Sequence, residues 1–250
     1  MRHTPFVLGV LCAFVSGGLA SPTAASAGAP SARAEATAPS RDPAPPCPRC
    51  VRLFDGKTFA GWIDDSNGSW VVADGALRGL GRSTGPVYTK EDYGDFRLIF
   101  TSRQVGPGHK PNILMWGARP GPGQEGSRTL DAIQFQPPWG AMWDYRPGKN
   151  DDPMKSGLAT RVAPKPTMSS HEWTRCEVLA RLATGTLRFA CCALGDDDTC
   201  DAVEIVRFVD PAAARKGPIA LQTHNTGQEQ EYRDLWIEAD PARDDLVTVP

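Results

Sequence analysis
The feature that most narrows the fold is a period-two apolar alternation that recurs from Val51 to Asp240, whereas no stretch keeps a 3.6-residue apolar stripe beyond about two turns. In Phe96-Arg97-Leu98-Ile99-Phe100 the residues Phe96, Leu98 and Phe100 share one face. From Trp173 to Arg181 the inward set is Cys176, Val178 and Ala180, with Arg175, Glu177 and Arg181 outward. Further strands are expected over Trp70–Ala73, Ala76–Gly79, Asn112–Trp116, Ala132–Gln136, Leu187–Cys192, Val203–Phe208, Pro218–His224 and Tyr232–Glu238, separated by Gly, Pro and Asp clusters. Asp74-Gly75 sits at a hairpin turn between two of them. Short strands with connections of uneven length fit an all-β, two-sheet jelly-roll β-sandwich better than an even meander. Two long Gly/Pro-rich stretches, 106–126 around the Asn112 strand and 137–167 with Trp139, Trp143 and Tyr145, are of the kind that shapes binding sites.

Ahead of this domain, Arg2 and His3 precede an apolar run from Phe6 to Phe14, long enough for a signal-peptide core and too short to span a bilayer. Ala25-Ser26-Ala27 supplies the cleavage pattern, with Ala20 as a second site, so residues 1–27 read as a signal peptide. Leu11 before Cys12 argues against a lipoprotein. Residues 28–50 form an Ala/Pro/Ser-rich linker, expected to be disordered, that ends in the Cys47-Pro-Arg-Cys50 motif. One domain over 51–240 and a C-terminal tail over 241–250 complete the chain. The expected location is exported, periplasmic or extracellular, with no membrane anchor after signal cleavage.

Six cysteines remain once Cys12 leaves with the signal, an even number suited to disulfides in an oxidising compartment. They allow fifteen connectivities. Cys191 or Cys192 with Cys200 spans a short Asp-rich turn, and Cys192 with Cys200 is the favoured pair. For Cys47 and Cys50, structural bonding outweighs a redox pair or half a zinc site, because no βαβ pattern follows and no second C-x-x-C completes a cage. The charges balance at a net −2 with both signs interspersed, which excludes nucleic acid as the partner. No G-x-S-x-G, H-E-x-x-H or P-loop pattern is present, and Asp196-Asp197-Asp198 lacks the alternating ligands of a calcium loop. His109 and His171 fall in polar loops.

Two strands break the grammar of a core. In Ile219 to His224 one face carries Ile219 and Leu221, the other Ala220, Gln222 and His224; in Asp131 to Gln136 one face carries Ile133 and Phe135, the other Ala132, Gln134 and Gln136. Such rows either face water or form a ligand-facing concave sheet. Neutral amides and an imidazole suit the second reading, since they bind sugar hydroxyls, while Trp116 and Trp143 can stack on sugar faces.

The segment Leu53-Phe54-Asp55-Gly56-Lys57-Thr58-Phe59-Ala60-Gly61-Trp62 resembles the "LFDGKTLxGW" opening of the 3-keto-disaccharide hydrolase domain family. Trp70 to Gly79, Tyr93 to Leu98, Gly217 to His224 and Tyr232-Arg233-Asp234 are similar to later motifs of that family, in the same order. The resemblance implies a concanavalin-like jelly-roll, commonly exported, that acts on glycosides oxidised at carbon 3. It implies His224 as base or metal ligand, Gln134 and Gln222 as substrate-orienting groups, and Arg233 as a partner for a carboxylate or the developing enolate; Gln136, from the same polar row, is a further candidate for substrate binding. Ala132 stands where the family's "YExQ" pattern has an acid, which leaves adjacent Asp131 as the catalytic carboxylate if a bulge turns it inward, with Asp144 or Glu125 as substitutes. Asn112 opens "N-I-L-M-W" where the family shows "N-S-G-I". No cofactor is certain; a divalent metal at His224 stays open, with no ligand set defined. The expectation is therefore a glycoside-cleaving hydrolase or lyase, with a non-catalytic carbohydrate-binding module, or a structural envelope domain, as alternatives.

Overall fold
The computed structural model describes residues 43–121 and 129–250. The expected signal peptide, most of the linker and Glu125 lie outside them. Among the described residues there are fifteen strands and no helix. In chain order they are β1 (Val51–Arg52), β2 (Trp62–Asp64), β3 (Trp70–Ala73), β4 (Ala76–Leu80), β5 (Gly85–Thr89), β6 (Phe96–Gln104), β7 (Ile113–Met115) and β8 (Ile133–Gln136). They continue with β9 (Ala141–Asp144), β10 (Ala159–Arg161), β11 (Thr174–Arg181), β12 (Thr186–Ala193), β13 (Val203–Val209), β14 (Ala220–Thr223) and β15 (Glu229–Ala239).

These strands pair antiparallel into two sheets. Nine form the order β10-β13-β12-β11-β6-β15-β4-β3, with β1 added to β15; six form β2-β5-β14-β7-β8-β9. The expected all-β, two-sheet jelly-roll is the observed architecture. Its core is the apolar set that alternation assigns inward: Leu98, Phe100, Cys176 and Val178 from the larger sheet meet Ile113, Ile133, Phe135, Ile219 and Leu221 from the smaller one. Phe135 stacks on Phe189 at 4.2 Å, and Tyr232 packs between Trp70 and Phe100. The hairpin β3–β4 turns at Asp74 (φ 51°) and Gly75 (φ 77°), the pair of positive dihedrals that an Asp-Gly turn supplies. At Gly217 a Cβ would stand 1.9 Å from the carbonyl oxygen of Gly117, so close backbone approach explains the glycine before Pro218.

β1, β2, β5, β9 and β10 are additions to the expected strands. β5 is buried at every position and so shows no alternation, and β9 hides among the prolines and tryptophans of a stretch read as loop. The Cys47–Cys50 motif is not part of a disordered linker: it closes a disulfide that packs against Ile99 and Trp236 on the outer face of the nine-stranded sheet. Cys192 bonds Cys200 as expected, and Cys176 bonds Cys191, its direct cross-strand neighbour on β11 and β12. Three such bonds suit an oxidising compartment.

The tail is also structured. Pro241 to Thr248 crosses the outer face of the larger sheet, where Leu246 packs with Leu179, Ala190, Cys192 and Ala202. Beneath it lie Arg97 and Glu177, about 1% and 0% exposed, ion-paired with each other. Arg97 also donates to Glu238 at 3.0 Å and to the carbonyl of Asp245 at 2.7 Å, while Glu177 accepts from the Val247 and Thr248 backbone N–H groups and the Thr248 hydroxyl. A buried pair is retained only when its remaining hydrogen-bonding capacity is met, and here the tail meets it. Removing one partner leaves an uncompensated buried charge, so Glu177→Ala is expected to cost about 3–5 kcal/mol. Truncation after Asp240 should lower the denaturant midpoint too; a midpoint unchanged by truncation would mean that the tail does not cover this face in solution.

Candidate functional site
The outer face of the six-stranded sheet holds the polar rows. Register aligns Tyr88, Ala220, Leu114, Gln134 and Trp143 across β5, β14, β7, β8 and β9, and one step along the strands aligns Gln222 with Gln136 and Ala141. Asn112, immediately before β7, falls between Gln222 and Gln136, and its carbonyl accepts from the Gln222 N–H at 3.1 Å. The two polar strands are therefore one strand apart, and the Gln134 amide spans β7 to donate to the Gln222 side-chain oxygen at 2.7 Å. At the other end of this face Ala132 pairs with Tyr145, whose N–H donates to the Ala132 carbonyl. Tyr88, Leu114, Leu130, Ala132 and Ala220 form the apolar floor.

His224 follows β14 at the Asn112 end of the face and is partly buried. Its Nδ1 is 3.4 Å from the Tyr145 hydroxyl, and its ring stands edge-on to His109 at 5.6 Å. Trp143, half-buried, lies 6.4 Å from Tyr145. A neutral imidazole that donates from Nδ1 to the tyrosine oxygen keeps the proton-accepting lone pair on Nε2.

Two buried glutamines of β15 and its preceding turn hold this end in place. Gln228 accepts from the His224 N–H at 2.8 Å and donates to the Lys110 carbonyl at 2.6 Å. Gln230 accepts from the Asn112 N–H at 3.2 Å and from the Tyr232 hydroxyl, and donates to the Gln222 carbonyl. Tyr232 donates to the Asn112 carbonyl as well; complete burial holds its phenol well above the ordinary range. In contrast, the Asn112 side-chain oxygen and nitrogen are fully buried and have no hydrogen-bond partner among the described residues. An unsatisfied buried amide costs about 1–3 kcal/mol, which a ligand hydroxyl reaching it would relieve.

Gln134, Gln136, Gln222, His224 and Trp143 thus share one face. Trp116 does not. Its φ of 55° turns the side chain out of the alternation that Leu114 follows and into the core, where its indole N–H donates to the Gly94 carbonyl. Arg233 sits on β15 of the other sheet, where a bulge at Asp234 (φ 50°) puts both Tyr232 and Leu235 in the core and leaves Arg233 outside. There it pairs with Asp198 at 3.0 Å and lies over the Trp173 ring. Asp131 has φ 47°, following Leu130 at φ 50°, so the turn into β8 takes it out of the strand's alternation, and among the described residues it has no ion-pair partner. Asp144 is on the core-facing side of β9, paired with Arg146, which also binds Asp210. Burial would raise the Asp210 carboxyl, but hydrogen bonds from Arg146 and the Ala212 N–H bring it below its ordinary value. Among the described residues no three His, Cys, Asp or Glu side chains gather to hold a metal, so the residues present do not define the divalent site that the resemblance left open. His109 and Tyr145 are the site residues that alternation could not find, since both come from irregular segments.

Cavities of about 440 and 790 Å³ lie elsewhere, beside the tail and beside the Cys192–Cys200 bridge. The arginines of the first, Arg181 and Arg188, are already paired with Asp244 and Glu204, and neither cavity includes a residue of the polar face.

Two antiparallel sheets, one with an amide-rich and aromatic outer face, define a carbohydrate-related jelly-roll of the concanavalin-like class. Residues 49–238 match the 3-keto-alpha-glucoside-1,2-lyase-like domain, and the chain belongs to that family. No curated protein matches it in sequence. In fold it is similar to a protein of Parabacteroides distasonis described as a glycosyl hydrolase, with TM-score 0.50 and 14% identity over 76% of this chain and 98% of the other. It is likewise similar to the exoplasmic/lumenal domain of VIP36 in a Ca2+/Man-bound form, with TM-score 0.51 and 12% identity over 80% and 93% of the two chains. At these identities the likeness is one of fold.

Replacing Gln230 by Leu removes the acceptor for Asn112 and the donor to Gln222 while keeping the volume. The expected result is a loss of about 1–3 kcal/mol per stranded partner and faster amide hydrogen exchange at Asn112 than at the distant Glu177. Unchanged exchange at Asn112 would show that Gln230 does not position this end.

Proposed function
We propose that the chain is an exported carbohydrate-active domain that cleaves 3-keto-glycosides on the outer face of the six-stranded sheet. Family membership supports the substrate class, and the disulfides fit work outside the cytoplasm. The observation that carries the reading is the convergence of Gln134, Gln222 and His224 on one face, with the Tyr145 hydroxyl beside the imidazole.

A 3-keto group acidifies the hydrogen on carbon 2. In the proposed sequence His224 takes that proton through Nε2, and the electron pair passes into the C2–C3 bond and onto the keto oxygen as an enolate. Amide N–H groups of the Gln134–Gln222 pair are placed on the same face to stabilise it. Collapse of the enolate restores the ketone, forms the C1–C2 double bond and expels the glycosidic oxygen, which takes the proton held by His224. Water then adds across the double bond. Arg233, on the other sheet, takes no part. No step requires a metal.

A second reading, a carbohydrate-binding module without turnover, is favoured by one observation: Ala132, fully buried, stands where the family pattern has its acid. Release of product from 3-keto-glucosides separates the two. His224→Ala is expected to lower turnover by about 100-fold or more with binding retained, and chelator should leave the parent unaffected. Equal turnover in variant and parent would remove His224 from the chemistry; binding without turnover by the parent would establish the second reading.

A further inference from the structure
Beside His224, at the same end of the sheet, three groups are left over from the reaction just described. Trp139 occupies the tip of the hairpin joining β8 to β9, three residues past Gln136. Its indole N–H donates to the Met168 carbonyl at 2.9 Å, and its backbone carbonyl accepts from Arg161 at 3.2 Å, so both ring and backbone are held. The Lys110 ammonium lies 4.0 Å from the centre of that ring and the Lys165 ammonium 4.6 Å from it. The two charges are thus within about 9 Å of each other, a separation comparable to the screening length at physiological salt.

Cation–π contact with one ring explains why each lysine rests there, but not why two like charges converge. Among the described residues no carboxylate pairs with either lysine. Burial, and then the neighbouring Lys165, pull the Lys110 ammonium below its ordinary range, as expected for a cation lacking a counter-ion. Lys110 is also built into the site: its carbonyl is held by Gln228, the residue that accepts from the His224 N–H, and it precedes Asn112 by two residues, which continues the row of the polar face. His109, next in the chain, is the ring edge-on to His224.

We infer that Lys110, Lys165 and Trp139 form a subsite for an anionic substituent on the saccharide, a uronate carboxylate or a sulfate ester, on the unit next to the one at His224. The indole holds the two ammonium groups in place, and together they offer a paired positive field for the charge of that sugar. This inference rests on the reading that glycosides bind this face, and it narrows the substrate class to acidic glycosides.

The test uses the purified chain and unreactive disaccharides without a 3-keto group, so that binding is read apart from turnover. A neutral disaccharide, the same compound bearing glucuronate at the second unit, and a 6-sulfated version are titrated calorimetrically at low and high salt. The parent should prefer either anionic sugar by about ten-fold at low salt, with the preference shrinking as salt screens it. Lys110→Gln combined with Lys165→Gln should abolish the preference, so that neutral and anionic sugars bind within about two-fold of each other, while Lys165→Arg should retain it. Equal binding of neutral and anionic sugars by the parent, no binding of any of them, or a preference that survives in the double variant would each overturn the inference. A parent that prefers acidic sugars yet turns over no 3-keto-glucoside would sink the catalytic reading alone. One that cleaves neutral 3-keto-glucosides with no anionic preference would sink this inference alone.

Discussion
The site depends on two side-chain amides that belong to neither of its strands. Gln230 comes from β15 of the larger sheet and Gln228 from the turn that leads into it, yet their hydrogen bonds fix the backbone of Gln222 and Asn112 and of the adjoining His224 and Lys110 on the side of the smaller one. Sheets in a sandwich are otherwise joined by apolar packing, which is strong but non-directional and tolerates sliding. Directional bonds at one end remove that freedom where the polar side chains emerge. They are effective because the glutamines are fully buried: water cannot compete, and a buried amide without partners is costly.

The two outer faces of the sandwich solve opposite problems. On the larger sheet a row of charged residues, centred on Arg97 and Glu177, is closed over by the C-terminal tail, and its polar capacity is consumed within the chain. On the smaller sheet the polar groups are neutral, amide and imidazole, and at Asn112 their capacity is unspent. Charge sealed by a strap yields stability; polar groups over an apolar floor are what the proposed function requires, since they can be desolvated by hydroxyl-rich molecules at a smaller cost than charges.

Much of this was legible in the chain. Long alternating strands such as β6, β11 and β12 announce themselves, because one buried face forces period-two patterning. The assignment of Gln134 and Gln222 to one face followed from the same rule, and register then placed them one strand apart. Where the rule failed, a local backbone event intervened. A left-handed residue at Trp116 redirected a tryptophan into the core, and a bulge at Asp234 broke the parity of Arg233 with Leu235, leaving it on the outer face of the larger sheet. β5 was invisible because both of its faces are buried, and His109 and Tyr145 because loops carry no period. The CxxC motif and the tail were hard to assign because short segments packed on a finished sheet need few apolar residues: Leu246 and a disulfide against Trp236 suffice.

Residues 47–50 and the C-terminal tail rest on the same face, the outer side of the larger sheet, and Arg52, stacked on Trp236, reaches back to the Pro43 carbonyl. Both ends of the domain are therefore on the side that the polar face turns away from. A bead or a surface attached where the described domain begins or ends would sit behind the sandwich, and under the proposed function polymeric glycans would reach the polar face from the opposite side.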